Sequence, residues 1–119
     1  MKVKSGGDQE LRKVLRGALH GQLDAQGADV VWEGLQAQLN REYPSLLLDM
    51  GGVGFVSSAG ISTLVRLLST TQSLNGAMTV FGCNERVRSV LKILMLEKVL
   101  NVCDSEADAR SRLRELGAS

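Results

Sequence analysis

Two adjacent hydroxyl groups, those of Ser57 and Ser58, lie where the sequence changes from a strand pattern to a helix pattern. The apolar run Leu46 to Leu48 before them is typical of a strand that is buried on both faces. The apolar positions after them, from Ile61 to Leu68, have helical spacing. The first amides of a helix lack backbone partners and lie at the positive end of the helix dipole, so this position attracts anions. A serine here can cap the helix or carry a phosphate group.

Other residues with chemical potential give weaker patterns. His20 has no serine or carboxylate at a catalytic spacing, which argues against a hydrolytic triad. Cys83 and Cys103 lie far apart in apolar segments, so we expect small core residues rather than redox or metal-binding groups. The glycines between residues 51 and 60 fit neither the dinucleotide nor the P-loop spacing. We therefore expect no metal and no cofactor.

Three polar residues near the serines or before helices have a structural interpretation, and the two aspartates among them also have a functional one. Asp24 and Asn84 precede predicted helices and can cap them, but Asp24 can also contact a partner. Asp49 can hold a loop formed by Gly51 and Gly52, or it can contribute to a phosphate site.

The elements that position these residues follow from the apolar spacing. The pattern predicts a strand before Asp8, a strand from Leu11 to the Gly21–Asp24 turn, and a loosened backbone after Asp49. It also predicts four helices. The first runs from near Ala28 to before Pro44, and the second runs from Ser58 to about Leu74. The third is capped by Asn84, buries Val87, Val90, Leu91 and Leu94 and is closed by residues 95–100, and the fourth is capped by Ser105 and buries Ala109, Leu113 and Leu116.

The order of elements predicts the fold class. After the opening hairpin, strands and helices alternate, which favours parallel strands with right-handed crossovers. We expect an α/β domain with a mixed, mostly parallel sheet of about five strands and four helices. The loops at Ser57–Ser58, Gly82–Asn84 and Asp104–Ser105 should then share one edge of the sheet, where α/β proteins usually place their sites, and the Gly21–Asp24 loop could reach it.

Length and charge exclude several classes of protein. With 119 residues and 44% hydrophobic content, the chain is expected to form a single domain over residues 1–119. The net charge of +1, with interspersed signs, gives no basic stripe for nucleic acid. The chain contains no run that is long and apolar enough to span a bilayer and no signal-peptide pattern, so we expect a cytoplasmic protein without a membrane partner.

Several motifs taken together resemble one known family. The segment LLLDMGGVGFVSSAGI at residues 46–61 is preceded by Gly21-x-Leu23-Asp24 and followed by NERVR at 84–88, LEKVL at 96–100 and DSE at 104–106. This order and spacing, from about residue 11 to the end of the chain, resemble the STAS domain of bacterial anti-sigma factor antagonists.

The resemblance implies a function and a site. It implies a non-enzymatic switch protein that binds a serine kinase acting as an anti-sigma factor. That kinase phosphorylates a serine at the start of the second helix, and a PP2C-type phosphatase resets the switch. We expect a monomer or weak dimer, and we expect the partner surface to comprise Asp24, Ser57, Ser58, Ala59, Gly60, Ile61 and Asn84. The resemblance itself suggests that Asp24 lies near that surface.

The chain departs from the family pattern at the acceptor. The most familiar pattern is Asp-Ser-Ser-Gly, with phosphate on the serine directly before glycine. Alignment on Gly60 puts Ala59 at that acceptor position. Either Ser58, with Ser57 as the alternative, takes the phosphate, or the protein is a non-phosphorylated scaffold or sensor-complex subunit. A third hypothesis, an enzyme with Ser58 as nucleophile, lacks a recognisable base and orienting acid.

Overall fold

The computed structural model describes residues 1–118 and contains one five-stranded sheet and four helices. The order of elements is β1 (Lys2–Gly7), β2 (Val14–Leu23), α1 (Ala25–Gln36), β3 (Ser45–Val56), α2 (Ser58–Ser73), β4 (Met78–Phe81), α3 (Glu85–Ile93), β5 (Val102–Cys103) and α4 (Glu106–Glu115). Strands follow each other in the sheet in sequence order. β1 pairs with β2 antiparallel, and every later pairing is parallel. The predicted fold class is confirmed.

The apolar run of β3 places a core on each face of the sheet. Leu46 and Leu48 are fully buried among residues of α1, α2 and α3, whereas Leu47 is buried on the other face with Ala109 and Leu113 of α4. Side chains alternate between the faces of a strand, so three consecutive leucines serve both layers. None of the helices in residues 1–118 is both long and apolar enough to cross a membrane.

Several predicted boundaries were wrong. β3 does not end near Asp49 but continues through the glycines to Val56, because β2 pairs with it along that length. α1 begins earlier and ends earlier than predicted, at Ala25 and Gln36, and β2 begins at Val14 rather than Leu11.

Two predicted core positions also differ. α3 ends at Ile93, and Met95 has a φ of 59°, so the chain turns and leaves Leu94 49% exposed. α4 ends at Glu115, and Gly117 with a φ of 100° turns the chain there, which leaves Leu116 42% exposed. In both cases the helical spacing of leucines extends past the last helical residue, and periodicity alone cannot reveal that.

Candidate functional site

The end of β3 projects beyond its neighbour on one side. β4 ends at Phe81, which pairs with Asp49, whereas residues 50–56 of β3 have β2 as their one neighbouring strand within residues 1–118. Asp24 follows the end of β2, and Ser57 follows the end of β3, so the two lie together at the projecting edge. β5 pairs with β4 at Phe81, so Asp104 and Ser105 lie level with Asp49 and not with Ser57. These two residues therefore follow the same carboxyl edge of the sheet, as predicted, but are set back from Ser57 by the extra length of β3.

Ser57 is the N-cap of α2, directly after β3, and its hydroxyl group both donates and accepts a hydrogen bond. Its backbone is extended, and its Oγ accepts a hydrogen bond from the amide of Gly60 at 3.3 Å. The same hydroxyl donates to the carbonyl oxygen of Leu23 at 3.2 Å, and the Ser57 amide donates to that oxygen at 2.9 Å. Ser57 thus joins the ends of β2 and β3 and begins the helix.

Ser58 is the first residue of α2 and is exposed. Within residues 1–118 its hydroxyl has no hydrogen-bond partner in the protein, and the amides of Ser58 and Ala59 have no backbone acceptor. These are two of the unpaired donors expected in the first turn of a helix. The site therefore combines a free hydroxyl with free amides at the positive end of the helix dipole.

The residues after Ser58 turn inward. Ala59 and Ile61 are half-buried, and Gly60 is buried. A Cβ atom added at Gly60 would lie 2.5 Å from the Leu23 carbonyl oxygen and 2.7 Å from Leu23 Cγ. The first turn of α2 therefore packs directly on the end of β2, and only a glycine allows this approach without a shift.

Asp24 caps α1, as one of its two interpretations predicts. Its Oδ1 accepts a hydrogen bond from the amide of Gly27 at 2.8 Å, and the residue is half-buried. α1 and α2 start after the ends of β2 and β3 and pack against each other, with the Thr63 hydroxyl donating to the Ala28 carbonyl at 3.5 Å. A contact between Asp24 and a partner stays a prediction.

Asn84 connects α3 to the projecting end of β3. Its Oδ1 accepts a hydrogen bond from the amide of Val87 at 2.8 Å and so caps α3. Its Nδ2 donates to the carbonyl oxygens of Val53 and Gly54 at 3.3 and 3.4 Å. One side chain thus fixes the start of α3 against the side of β3 that β4 leaves uncovered.

Comparison with known proteins identifies the family. The family model of the STAS domain matches residues 10–109. The chain belongs to the STAS domain family. It is 30% identical over 71 residues to a protein of Thermotoga neapolitana that is named as an anti-sigma factor antagonist; the match covers 60% of this chain and 63% of that protein. The chain thus spans somewhat less than two thirds of that relative's length.

Solved structures share the fold of this STAS domain. An anti-sigma factor antagonist structure from Thermotoga maritima has a TM-score of 0.83 at 20% identity and covers 93% of each chain. SpoIIAA, described as an anti-sigma factor antagonist, has a TM-score of 0.76 at 16% identity in its unphosphorylated form, covering 94% of this chain and 97% of its own. The phosphorylated form from Bacillus has a TM-score of 0.69 at 15% identity, covering 93% and 100%. At these identities the likeness concerns the fold alone.

Asp49 lies outside the projecting edge of this STAS domain. Its Oδ1 accepts from the Gly51 amide at 2.8 Å, which agrees with its predicted bond to the glycine segment, although that segment is strand and not loop. Its Oδ2 lies 3.4 Å from the guanidinium of Arg16, which also binds Glu106. The carboxylate therefore belongs to an ion-pair network next to α4 and not to the Ser57–Ser58 corner.

Sequence reasoning missed Phe55, an aromatic residue beside the site. Phe55 is 45% exposed, although Val53, two residues before it, and Val56, directly after it, are buried. β3 contains an extra residue here, because Val53 pairs with Gly21 and Phe55 with the next residue, Gln22. The bulge interrupts the alternation and brings Phe55 to the surface. Gly54 was the available signal, since a glycine within a strand pattern often marks a bulge.

The two cysteines are partly buried. Burial raises the pKa of the Cys83 thiol to about 11, so this group stays protonated near neutral pH. Burial also raises the pKa of Cys103. Within residues 1–118, no group of three His, Cys, Asp or Glu side chains is arranged to hold a metal ion.

Proposed function

We propose that this STAS domain is an anti-sigma factor antagonist that switches partners by phosphorylation of Ser58. In this proposal, residues 1–119 form one domain that acts in the cytoplasm as a monomer or weak dimer. The domain binds a serine-kinase anti-sigma factor through the corner formed by Ser57–Ile61, Asp24 and Asn84, together with Phe55. The kinase phosphorylates Ser58, the complex dissociates, and a PP2C-type phosphatase restores the binding form.

The observation that carries the proposal is the difference between the two serines. The Ser57 hydroxyl is engaged on both sides, whereas the Ser58 hydroxyl is exposed and unbonded within residues 1–118. A kinase needs an accessible hydroxyl, so the geometry favours Ser58 over Ser57 as acceptor. The free amides of Ser58 and Ala59 can donate to a phosphate at that position.

The switch has an electrostatic basis. A phosphoserine carries a charge of about −1.5 to −2 near neutral pH, and the amino end of α2 tolerates this charge in the free protein. A partner seated on Phe55 and Ile61 would remove water from the phosphate, and desolvating a charge is costly. Each 1.4 kcal/mol of desolvation penalty raises the Kd of the complex about tenfold, so a penalty of a few kcal/mol is enough to end binding. Phosphorylation would thus end binding while the fold stays intact.

The relatives support the same function. Two curated relatives, from Thermotoga neapolitana and Thermotoga maritima, are named as anti-sigma factor antagonists, and SpoIIAA has been solved in phosphorylated and unphosphorylated forms. A second function, that of a non-phosphorylated STAS scaffold or sensor-complex subunit, is favoured by one residue. Ala59 has no hydroxyl at the position that carries the phosphate in the familiar family pattern.

A phosphorylation experiment separates these two functions. The protein is incubated with ATP and the serine kinase encoded nearest to its gene, and the phosphorylated residue is located by mass spectrometry. We expect stoichiometric phosphate on Ser58, retained in Ser57→Ala and absent in Ser58→Ala. Ser62 is exposed on the same helix, so Ser62→Ala is the matched control and should be phosphorylated like the wild type. An unmodified protein that still binds the kinase would favour the scaffold function.

A binding experiment tests the electrostatic step directly. Ser58→Asp places a negative charge at the first position of α2, where the helix dipole stabilises it. We expect this variant to unfold at a Tm no lower than that of the wild type, yet to bind the kinase at least tenfold more weakly in calorimetric titration. Equal affinity of the wild type and Ser58→Asp would contradict the proposed switch.

A further inference from the structure

A cavity lies at the opposite end of the sheet from Ser58. It is a cavity of about 290 Å³ where β2, β3 and β4 begin. Arg12 and Lys13 come from the turn before β2, and Arg41 comes from the segment between α1 and β3. The turn after α2, with Asn75 and Gly76, and the segment after α4 complete the lining.

The charge of this cavity is one-sided. Arg12, Lys13 and Arg41 all line it, and the part of its lining that residues 1–118 form contains no aspartate or glutamate. Within residues 1–118, none of the three cations lies within 4 Å of a carboxylate, whereas Arg16, Arg88, Arg110, Arg112 and Arg114 all form ion pairs. Three like charges around one concavity repel each other, and a bound anion would relieve that repulsion.

The floor of the cavity is built before any ligand arrives. A Cβ atom added at Gly76 would lie 2.0 Å from the carbonyl oxygen of Pro44, so the two turns pack in direct contact. The buried Ser45 hydroxyl accepts a hydrogen bond from the amide of Ala77 at 3.0 Å and joins the same turns. Lys13 has a φ of 60°, a left-handed backbone conformation that is uncommon for lysine. Packed backbone therefore fixes the positions from which the cationic side chains extend.

We propose that this cavity binds a small phosphate-class oxyanion, either inorganic phosphate or a phosphomonoester. Two arginine forks and one lysine can surround the several oxygens of such a dianion, with the arginines binding in the bidentate manner that their planar groups favour. The volume is at the small end of the range for ligand sites, which favours a compact ligand. The site is independent of the partner switch, since it lies at the amino ends of the strands whose carboxyl ends hold Ser57 and Asp24.

An NMR titration tests this site. Sodium phosphate is added to the ¹⁵N-labelled full chain with sodium chloride removed to keep the ionic strength constant, and glycerol 3-phosphate is added in a parallel arm. We expect saturable shifts of the backbone amides of residues 12–14, 41–43, 45 and 74–77. Tighter binding of inorganic phosphate would identify the free ion as the ligand, and tighter binding of the ester would identify a phosphorylated metabolite.

Paired variants give the decisive comparison. Arg12→Gln combined with Arg41→Gln should raise the Kd at least tenfold, because two charge-assisted contacts are lost. Arg86 is exposed on α3 and, within residues 1–118, forms no ion pair, so Arg86→Gln should bind phosphate like the wild type. The proposal is overturned by an absence of saturable shifts, by shifts centred on residues 57–60, or by an equal Kd in the double variant. None of these outcomes bears on phosphorylation of Ser58.

Discussion

Ser57 and Ser58 carry the same side chain in adjacent positions, and their surroundings give them different roles. The sequence predicts that a helix begins here, because the apolar spacing changes beside two good capping residues. It does not say which serine caps the helix. That choice depends on the carbonyl of Leu23, which lies at the end of another strand and accepts from both the amide and the hydroxyl of Ser57.

Substitution by alanine should separate the two serines. Ser57→Ala removes the cap of α2 and should lower the free energy of unfolding by about 1 kcal/mol. Ser58→Ala removes an exposed hydroxyl, and alanine is a better helix former, so the change should stay within about 0.5 kcal/mol. Urea denaturation monitored by circular dichroism measures both. Equal losses in the two variants would show that the cap is wrongly assigned.

Two helical glycines should respond in opposite directions to a methyl group. Gly60→Ala forces a Cβ against the Leu23 carbonyl and should cost about 1–3 kcal/mol, more than the gain of about 1 kcal/mol in helix propensity. At Gly34 in α1 the nearest atom to an added Cβ is Val3 Cγ1 at 3.5 Å, an ordinary contact. Gly34→Ala should therefore stabilise by about 0.5–1 kcal/mol. Urea denaturation measures both changes: the midpoint should fall below that of the wild type for Gly60→Ala and rise above it for Gly34→Ala.

At the scale of elements, β3 shows where local patterns stop being informative. Leu46–Leu48 predicts a buried strand correctly, because the signal lies within the segment itself. The glycines after Asp49 predict a loop, since glycine weakens an isolated strand. In the structure these residues are strand, because β2 pairs with residues 50–56 across two register shifts. Such pairing depends on residues that are distant in sequence, so the local pattern does not predict it. The same bulge brings Phe55 to the surface, so the site could be only partly predicted.

Asn84 links α3 to β3, and the contributions of its side-chain oxygen and nitrogen can be tested separately. Asn84→Asp keeps the oxygen that accepts from Val87 but loses the amide that donates to β3, and should cost about 1 kcal/mol. Asn84→Ala loses both and should cost about 2 kcal/mol. Hydrogen exchange should be faster around residues 53–56 in both variants, and faster at Val87 only in Asn84→Ala. Unchanged exchange at residues 53–56 would rule out the link to β3.

At the scale of the whole molecule, an ion-pair network holds the last helix to the opening hairpin. Arg110 of α4 donates to the buried carboxylate of Asp8 at 2.7 Å and to Glu106 at 2.7 Å. Arg16 of β2 donates to both carboxylate oxygens of Glu106, at 3.0 and 3.2 Å. The sequence gives no sign of this network, because its members are separated by up to 102 residues. The topology places α4 across β3, β4 and β5, where the long Arg16 side chain of β2 reaches Glu106.

This network predicts a pH dependence of stability. The hydrogen bonds from Arg16 lower the pKa of Glu106 below its usual range. A carboxyl with a lower pKa in the folded state stabilises the fold above its unfolded pKa of about 4.3, and this contribution is lost as the pH falls through the lower, folded pKa. Glu106→Gln should therefore destabilise the protein at pH 7, and the difference from the wild type should shrink as the pH falls below about 4.

A matched variant controls for the loss of a carboxylate. Glu33 is exposed on α1 and, within residues 1–118, forms no ion pair. Glu33→Gln should leave the urea midpoint at pH 7 within error of the wild type. A pH-independent difference between Glu106→Gln and the wild type would mean that Glu106 stabilises the fold by packing and not by charge.

The stepped outline of the sheet has a consequence for the behaviour of the protein at high concentration. Strand borders with unused hydrogen-bonding groups invite other chains to join them and grow into fibres. In the part of the chain covered by residues 1–118, the edge strand β1 carries Lys2 and Lys4, and the edge strand β5 at the other side is only two residues long. The Asn84 amide donates to two carbonyl oxygens on the projecting end of β3. Each exposed edge of the sheet is thus protected in a different way. Removal of the Asn84 amide should therefore make concentrated solutions of the protein more prone to aggregate.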